Sequence, residues 1–213
     1  MRRLPVYLLL DVSGSMSGEP IEAVKSGVQL MHSALRKDPY ALESAFISVI
    51  TFESKVNQVL PLTEVAHFQP PPLTAGGGTS LGAALQEVTN CAKREVAKGT
   101  SEQKGDWKPL VFLMTDGAPT DSVDQGIAAF QAYKWGTIVA CAAGHHADET
   151  ILKRIAGENV VRLDTADSTS IGAFFKWVSS SISATSKKVE EAGSEVGSID
   201  ELPPPPPEIT LVK

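Results

Sequence analysis

Five continuous apolar runs of strand length constrain this chain more than any other feature: residues 6–10, 46–52, 110–114, 138–143 and, more weakly, 160–163. An uninterrupted apolar run suits a strand buried on both faces, as in a parallel sheet covered by helices on each side. Between the runs, apolar residues recur at helical spacing: Ile21, Val24, Val28, Met31 and Leu35, then Leu81, Ala84, Leu85, Val88 and Ala92, then Val123, Ile127 and Phe130. Two further helices are expected over 149–156 and 171–182. The alternation predicts a three-layer, Rossmann-like α/β fold with a mostly parallel central sheet and helices on both faces. One interval departs from it. After Phe52 only Glu53 and Ser54 precede a second strand-like stretch, 55–60, so a hairpin into one antiparallel edge strand is expected there.

The 213 residues are 42% hydrophobic and 21% charged, the composition of a soluble globular chain. One domain over residues 1–185 is expected, followed by an acidic, proline-rich C-terminal tail over 186–213. That tail carries six acidic residues against three lysines, half of the net charge of -6, and the five prolines 203–207 read as an extended spacer. Residues 208–212 have strand-forming composition and could dock on a sheet edge or remain a stub. Nineteen Lys and Arg against 25 Asp and Glu argue against nucleic acid as a partner. Two cysteines, Cys91 and Cys141, suggest neither a disulfide scaffold nor a thiolate metal site, and a reducing cytoplasm is the expected compartment. The basic start followed by residues 6–10 is too short for a signal peptide and runs into Asp11. No apolar stretch is long enough to span a bilayer, so no membrane role is expected.

In a doubly wound sheet, ligands gather where loops leave the carboxyl ends of the strands. Three loops there carry oxygen donors: Asp11, Ser13 and Ser15 at alternate positions after the first run; Thr79 after the triplet Gly76, Gly77 and Gly78; and Asp116 after the run 110–114. The donors are hard oxygens only, which favours Mg²⁺ or Mn²⁺ over zinc. If these residues only capped helices and turned the chain, all five together would not be required.

The pattern Asp-x-Ser-x-Ser, a distant Thr and a further Asp resembles the metal-ion-dependent adhesion site of the von Willebrand factor type A domain, and the resemblance covers roughly residues 4–185. It implies metal ligation by Asp11, Ser13, Ser15, Thr79 and Asp116, with the hydroxyls direct or nearly so and the carboxylates often acting through water. It also implies a protein partner that supplies a Glu or Asp carboxylate to the ion, and hence a binding device rather than an enzyme. The opening residues 3–7 and the run 17–24 resemble tellurite-resistance members of that family. That implies a scaffold or target in a bacterial stress circuit with a protein kinase and phosphatase encoded nearby. An accessory, cargo-recruiting subunit of a metal-chelatase or ATPase motor is the alternative. A phosphatase of the aspartate-nucleophile type is disfavoured because Ser13 stands where a second Asp is needed, and the glycine loop lacks the lysine of a phosphate-binding loop. His145 and His146 read as a solvated loop pair, Cys141 and the three tryptophans as core, and Asp121 and Asp124 as charges at a helix N-terminus.

Overall fold

The computed structural model describes residues 2–212. In chain order the elements are β1 (Leu4–Asp11), α1 (Glu19–Leu35), α2 (Pro39–Ser44), β2 (Ala45–Phe52), β3 (Val56–Glu64), α3 (Leu81–Glu95), β4 (Leu110–Thr115), α4 (Asp124–Gln131), β5 (Ile138–Ala143), α5 (Glu149–Ala156), β6 (Val160–Leu163), α6 (Ser168–Ala192) and β7 (Thr210–Leu211). Short 3₁₀ turns occur at Gly14–Met16 and Ile199–Glu201. The strands form one sheet in the order β3-β2-β1-β4-β5-β6-β7. It is parallel from β2 to β6 and antiparallel at both edges.

The apolar runs become strands buried on both faces because successive side chains point opposite ways. Leu4, Val6, Leu8 and Leu10 of β1 face one layer, with Val28 and Met31 of α1 and Phe174 and Val178 of α6. Tyr7 and Leu9 face the other, with Leu85 and Val88 of α3, Ile127 of α4 and Leu152 of α5. The helices therefore sort into α1, α2 and α6 on one side and α3, α4 and α5 on the other. Aspartate side chains cap three of them: Asp38, Asp148 and Asp167 accept from the backbone N–H of Ala41, Ile151 and Ser170. Trp107, Trp135 and Trp177 are buried, and Cys141 lies in the core strand β5, where burial pushes its thiol well above the usual range. The short α2 carries no long apolar periodicity and was not expected.

The C-terminal segment departs from the spacer expectation. The helix expected over 171–182 continues to Ala192 and crosses residue 185. Its inward face goes on through Thr185, Ser186 and Val189, of which the two small hydroxylated residues fit against the neighbouring helices but read as polar in the sequence. Gly193, at φ 60°, ends the helix in the left-handed region that glycine adopts most readily. Beyond it Val196, Ile199, Leu202 and Ile209 are buried. Thr137 Oγ1 donates to Val196 O at 2.9 Å, and Trp177 Nε1 donates to Pro203 O at 2.7 Å. Residues 203–207 thus form a strap that carries β7 to the edge of β6, and the sheet has two antiparallel edge strands where one was expected.

Candidate metal centre

β1 lies where the strand order turns: β2 and β3 lie to one side of it, β4 and its successors to the other. The carboxyl ends of β1 and β4 therefore flank the crevice that such a reversal opens. Leu10 pairs with Met114, so Asp11 and Thr115 are the next residues along their two strands. Thr115 Oγ1 donates to Asp11 Oδ2 at 2.5 Å, and the Ser13 backbone N–H donates to Asp11 Oδ1 at 2.8 Å. Asp11 is 1% exposed and both of its oxygens are engaged by the protein, which holds the carboxylate in one orientation.

The hydroxyls are arranged in series. Ser15 Oγ donates to Asp116 Oδ1 at 2.7 Å, and Ser13 Oγ lies 3.0 Å from Ser15 Oγ. A serine has one hydroxyl proton, so Ser13 is the donor to Ser15. Thr79 Oγ1 faces the same space: a Cβ placed on Gly117 would sit 3.9 Å from it and 3.9 Å from Ser15 Oγ. Thr79 is only 5% exposed, and its hydroxyl, which forms no hydrogen bond among the described residues, is not one of the buried unpartnered atoms, so it opens toward solvent in the cup. Asp116 has its carboxyl pushed up by burial and by the charge of Asp11, against the hydrogen bond from Ser15 and the exposed His146. Two buried carboxylates side by side favour a cation between or beside them. Two carboxylates and three hydroxyls, with no sulfur or imidazole, suit a hard divalent ion. Among the described residues no group of three or more His, Cys, Asp or Glu is placed to hold a metal ion.

Backbone contacts fix the three loops to one another. Gly14 N donates to Gly77 O at 3.0 Å, and Gly76 N donates to Val12 O at 2.9 Å. Gly77 has φ +72°, and a side chain there would also run into the Glu53 carboxylate, so glycine is required. Thr79 is held from both sides: its N–H donates to Thr120 Oγ1, and its carbonyl accepts from Thr120 N, each at 2.9 Å. Asp121 accepts from Gly82 N at 3.0 Å and Ala83 N at 2.9 Å, so it caps α3, while Asp124 opens α4 and pairs with Arg154 of α5 at 2.6 Å. The loop after β4 thereby grips the start of the helix that follows Thr79. All five expected residues lie in this one cup. The supporting Thr115, Thr120 and Ser54, which accepts from Gly78 N at 2.8 Å, were not singled out in the sequence. Thr115 could have been found from its place beside Asp116; Thr120 and Ser54 are distant in sequence and leave no local signal. His145 and His146 are exposed, as expected for a solvated loop.

A family model described as the von Willebrand factor type A domain matches residues 6–176. An uncharacterized protein of Synechocystis is 35% identical over 123 residues, which is 54% of this chain and 26% of that protein. The inter-alpha-trypsin inhibitor heavy chain H6 of Homo sapiens is 26% identical over 171 residues, 72% of this chain and 12% of that protein. The chain thus spans about a quarter or less of these curated relatives. Among solved structures, the proximal thread matrix protein 1 of the mussel byssus superposes with a TM-score of 0.63 at 20% identity, covering 84% of this chain and 48% of that one. Another structure of that mussel protein has its metal-ion-dependent adhesion motif occupied by zinc. No helix among the described residues is long and apolar enough to cross a membrane.

Proposed function

The chain belongs to the von Willebrand factor type A domain family, and from that premise we propose that the cup at the ends of β1 and β4 holds a divalent cation, Mg²⁺ or Mn²⁺, and uses it to bind a protein partner. Ser13, Ser15 and Thr79 would supply hydroxyl oxygens to the ion, and Asp11 and Asp116 would hold it through their carboxylates or through water. The observation that carries the reading is the convergence of the Thr79 hydroxyl, free of protein hydrogen bonds, on the Ser13–Ser15–Asp116 chain. With most of the donors neutral, a bound ion keeps positive character and attracts a Glu or Asp carboxylate from a partner. The proposed chemistry is binding rather than turnover, since both oxygens of Asp11 are engaged by Thr115 and Ser13.

Isothermal titration with MgCl₂ and MnCl₂ tests the site. The parent is expected to bind one equivalent, and Thr79→Ala and Asp11→Ala are expected to lose at least tenfold in affinity, with the Tm little changed for Thr79→Ala. Unchanged affinity in both variants overturns the assignment. The resemblance of residues 3–7 and 17–24 to tellurite-resistance members supports a cytoplasmic scaffold or target in a bacterial stress circuit, with a kinase and phosphatase encoded nearby as partners. Surface plasmon resonance against that kinase, in Mg²⁺ and then in EDTA, is the check. Binding in Mg²⁺ that EDTA abolishes supports the reading, and equal binding in both buffers removes the metal from the contact.

A further inference from the structure

At the end of the sheet opposite the hydroxyl cup, where β4 and β5 begin, two adjoining hollows of about 530 Å³ each share Lys108, Tyr133 and Lys134 and form one trough. Lys93 near the end of α3 and Lys98 in the connection to β4 also line it. Among the described residues the one carboxylate lining the trough, Asp106, is engaged by Arg3 at 2.6 Å and by the Ala97 N–H at 2.8 Å. Lys108 pairs with Glu195 of the C-terminal segment at 2.7 Å. Lys93, Lys98 and Lys134 make no ion pair or hydrogen bond among the described residues. At the rim the Arg2 guanidinium stacks on Trp107 at 3.4 Å and donates only to backbone carbonyls, those of Gly105 and Asp106. In a chain of net charge -6, this is a local excess of unpaired positive charge.

We propose that the trough docks an acidic peptide segment of a partner protein, whose carboxylate or phosphoryl groups pair with Lys93, Lys98 and Lys134. The chain already shows the contact in miniature, because the Glu195 carboxylate accepts from both Lys108 Nζ and the Lys108 backbone N–H. Two adjoining hollows make the site elongated, which suits a peptide better than a single small ion. Opposite charges across such a surface raise the encounter rate and fix the register of the bound segment. The trough is remote from the cup and needs no metal, so the domain could hold two proteins at once, one at each end of its sheet.

Fluorescence anisotropy in EDTA, which keeps the metal cup out of the measurement, tests this with three fluorescein-labelled probes. They are hexaglutamate, a glycine-spaced peptide with two phosphoserines, and the same peptide unphosphorylated. The parent is expected to bind at least one anionic probe and not the neutral one, with affinity falling tenfold or more between 50 and 300 mM NaCl. Preference for hexaglutamate identifies carboxylates as the natural groups, and preference for the phosphopeptide identifies phosphoryl groups. The triple variant Lys93→Glu/Lys98→Glu/Lys134→Glu changes only exposed side chains, so it should keep the parent Tm while losing at least tenfold in affinity. Lys55→Glu, at the far end of the sheet, should stay within twofold of the parent. Parent-like binding by the triple variant overturns the proposal, as does an absence of binding by the parent at 50 mM NaCl. A labelled single-stranded oligonucleotide that binds tenfold tighter than both peptides also overturns it, in favour of nucleic acid.

Discussion

The two edges of the sheet are both antiparallel, yet they are made in different ways. β3 is a nine-residue strand joined to β2 by a three-residue turn, and it pairs from Phe52 opposite Val56 to Phe46 opposite Glu64. β7 is two residues long, lies some 45 residues downstream of β6, and pairs only at Val161–Leu211 and Arg162–Thr210. A hairpin closes a small loop at little entropic cost, so its ladder can hold it in place. Two ladder positions cannot hold a distant segment, and β7 stays because Leu202 and Ile209 are buried and Pro203 is tied to Trp177. One edge is held by its own strand, the other by what flanks it.

The largest expected effect breaks the second edge altogether. Removing residues 193–213 uncovers apolar surface now covered by four buried side chains. The loss should at least match that of one large buried residue, about 3 kcal/mol, or about 6–12 °C in Tm for a chain of this size. Thermal denaturation followed by circular dichroism measures it, and a Tm within two degrees of the parent would return the segment to a mere spacer. A smaller contrast comes from one residue on each edge. Ile209→Ala should cost about 2 kcal/mol, whereas Val59→Ala, in the middle of β3 and 38% exposed, should stay within about 0.5 kcal/mol. Urea midpoints compare the two, and equal losses would erase the distinction.

Trp177→Phe removes the hydrogen bond to Pro203 O at a cost of about 1 kcal/mol in the full chain. In the shortened chain only the packing loss common to both should remain, and a double-mutant cycle isolates the difference. The smallest effect is one of pH. The hydrogen bonds of Lys188 and Gly197 hold the Glu201 carboxyl below its ordinary value, and Glu195 is also held low, because contacts with Lys108 outweigh burial. Groups with lowered folded values add stability at pH above the ordinary carboxylate value, and that stability is lost as pH falls through the lowered one. The Tm difference between the full and shortened chains should therefore narrow slightly below about pH 4. A gap that widens on acidification would contradict the assigned contacts.

Much of the cup was legible because its ligands stand at short, regular intervals after apolar runs. Asp11, Ser13 and Ser15 follow β1 directly and Asp116 follows β4, so parallel pairing of those two strands is enough to bring them together. Thr79 is attached to no strand, and the glycine triplet before it at the start of a helix singled it out as a loop donor. What holds it, Thr120 and Asp121, lies some 40 residues away and acts through a loop whose course no periodicity encodes. The C-terminal segment was misread for a related reason. Ser181, Thr185 and Ser186 are polar by composition, yet they lie on the buried face of α6, the helix that packs against α1 and α2. Scattered apolar residues such as Val196, Leu202 and Ile209 have no period to reveal them.

The order of residues along the chain was enough to specify the parallel sheet, its two helical layers, the hairpin edge and the loops where the oxygen donors gather. All of these follow from local patterns: apolar runs, helical spacing, a short turn, and glycines beside oxygen donors. The second edge, the strap, the grip on Thr79 and the lysine trough emerge from packing alone. Each depends on surfaces that exist only once distant segments have packed, and the free energy of burying an isolated side chain is set by what lies opposite it, which one-dimensional order does not specify.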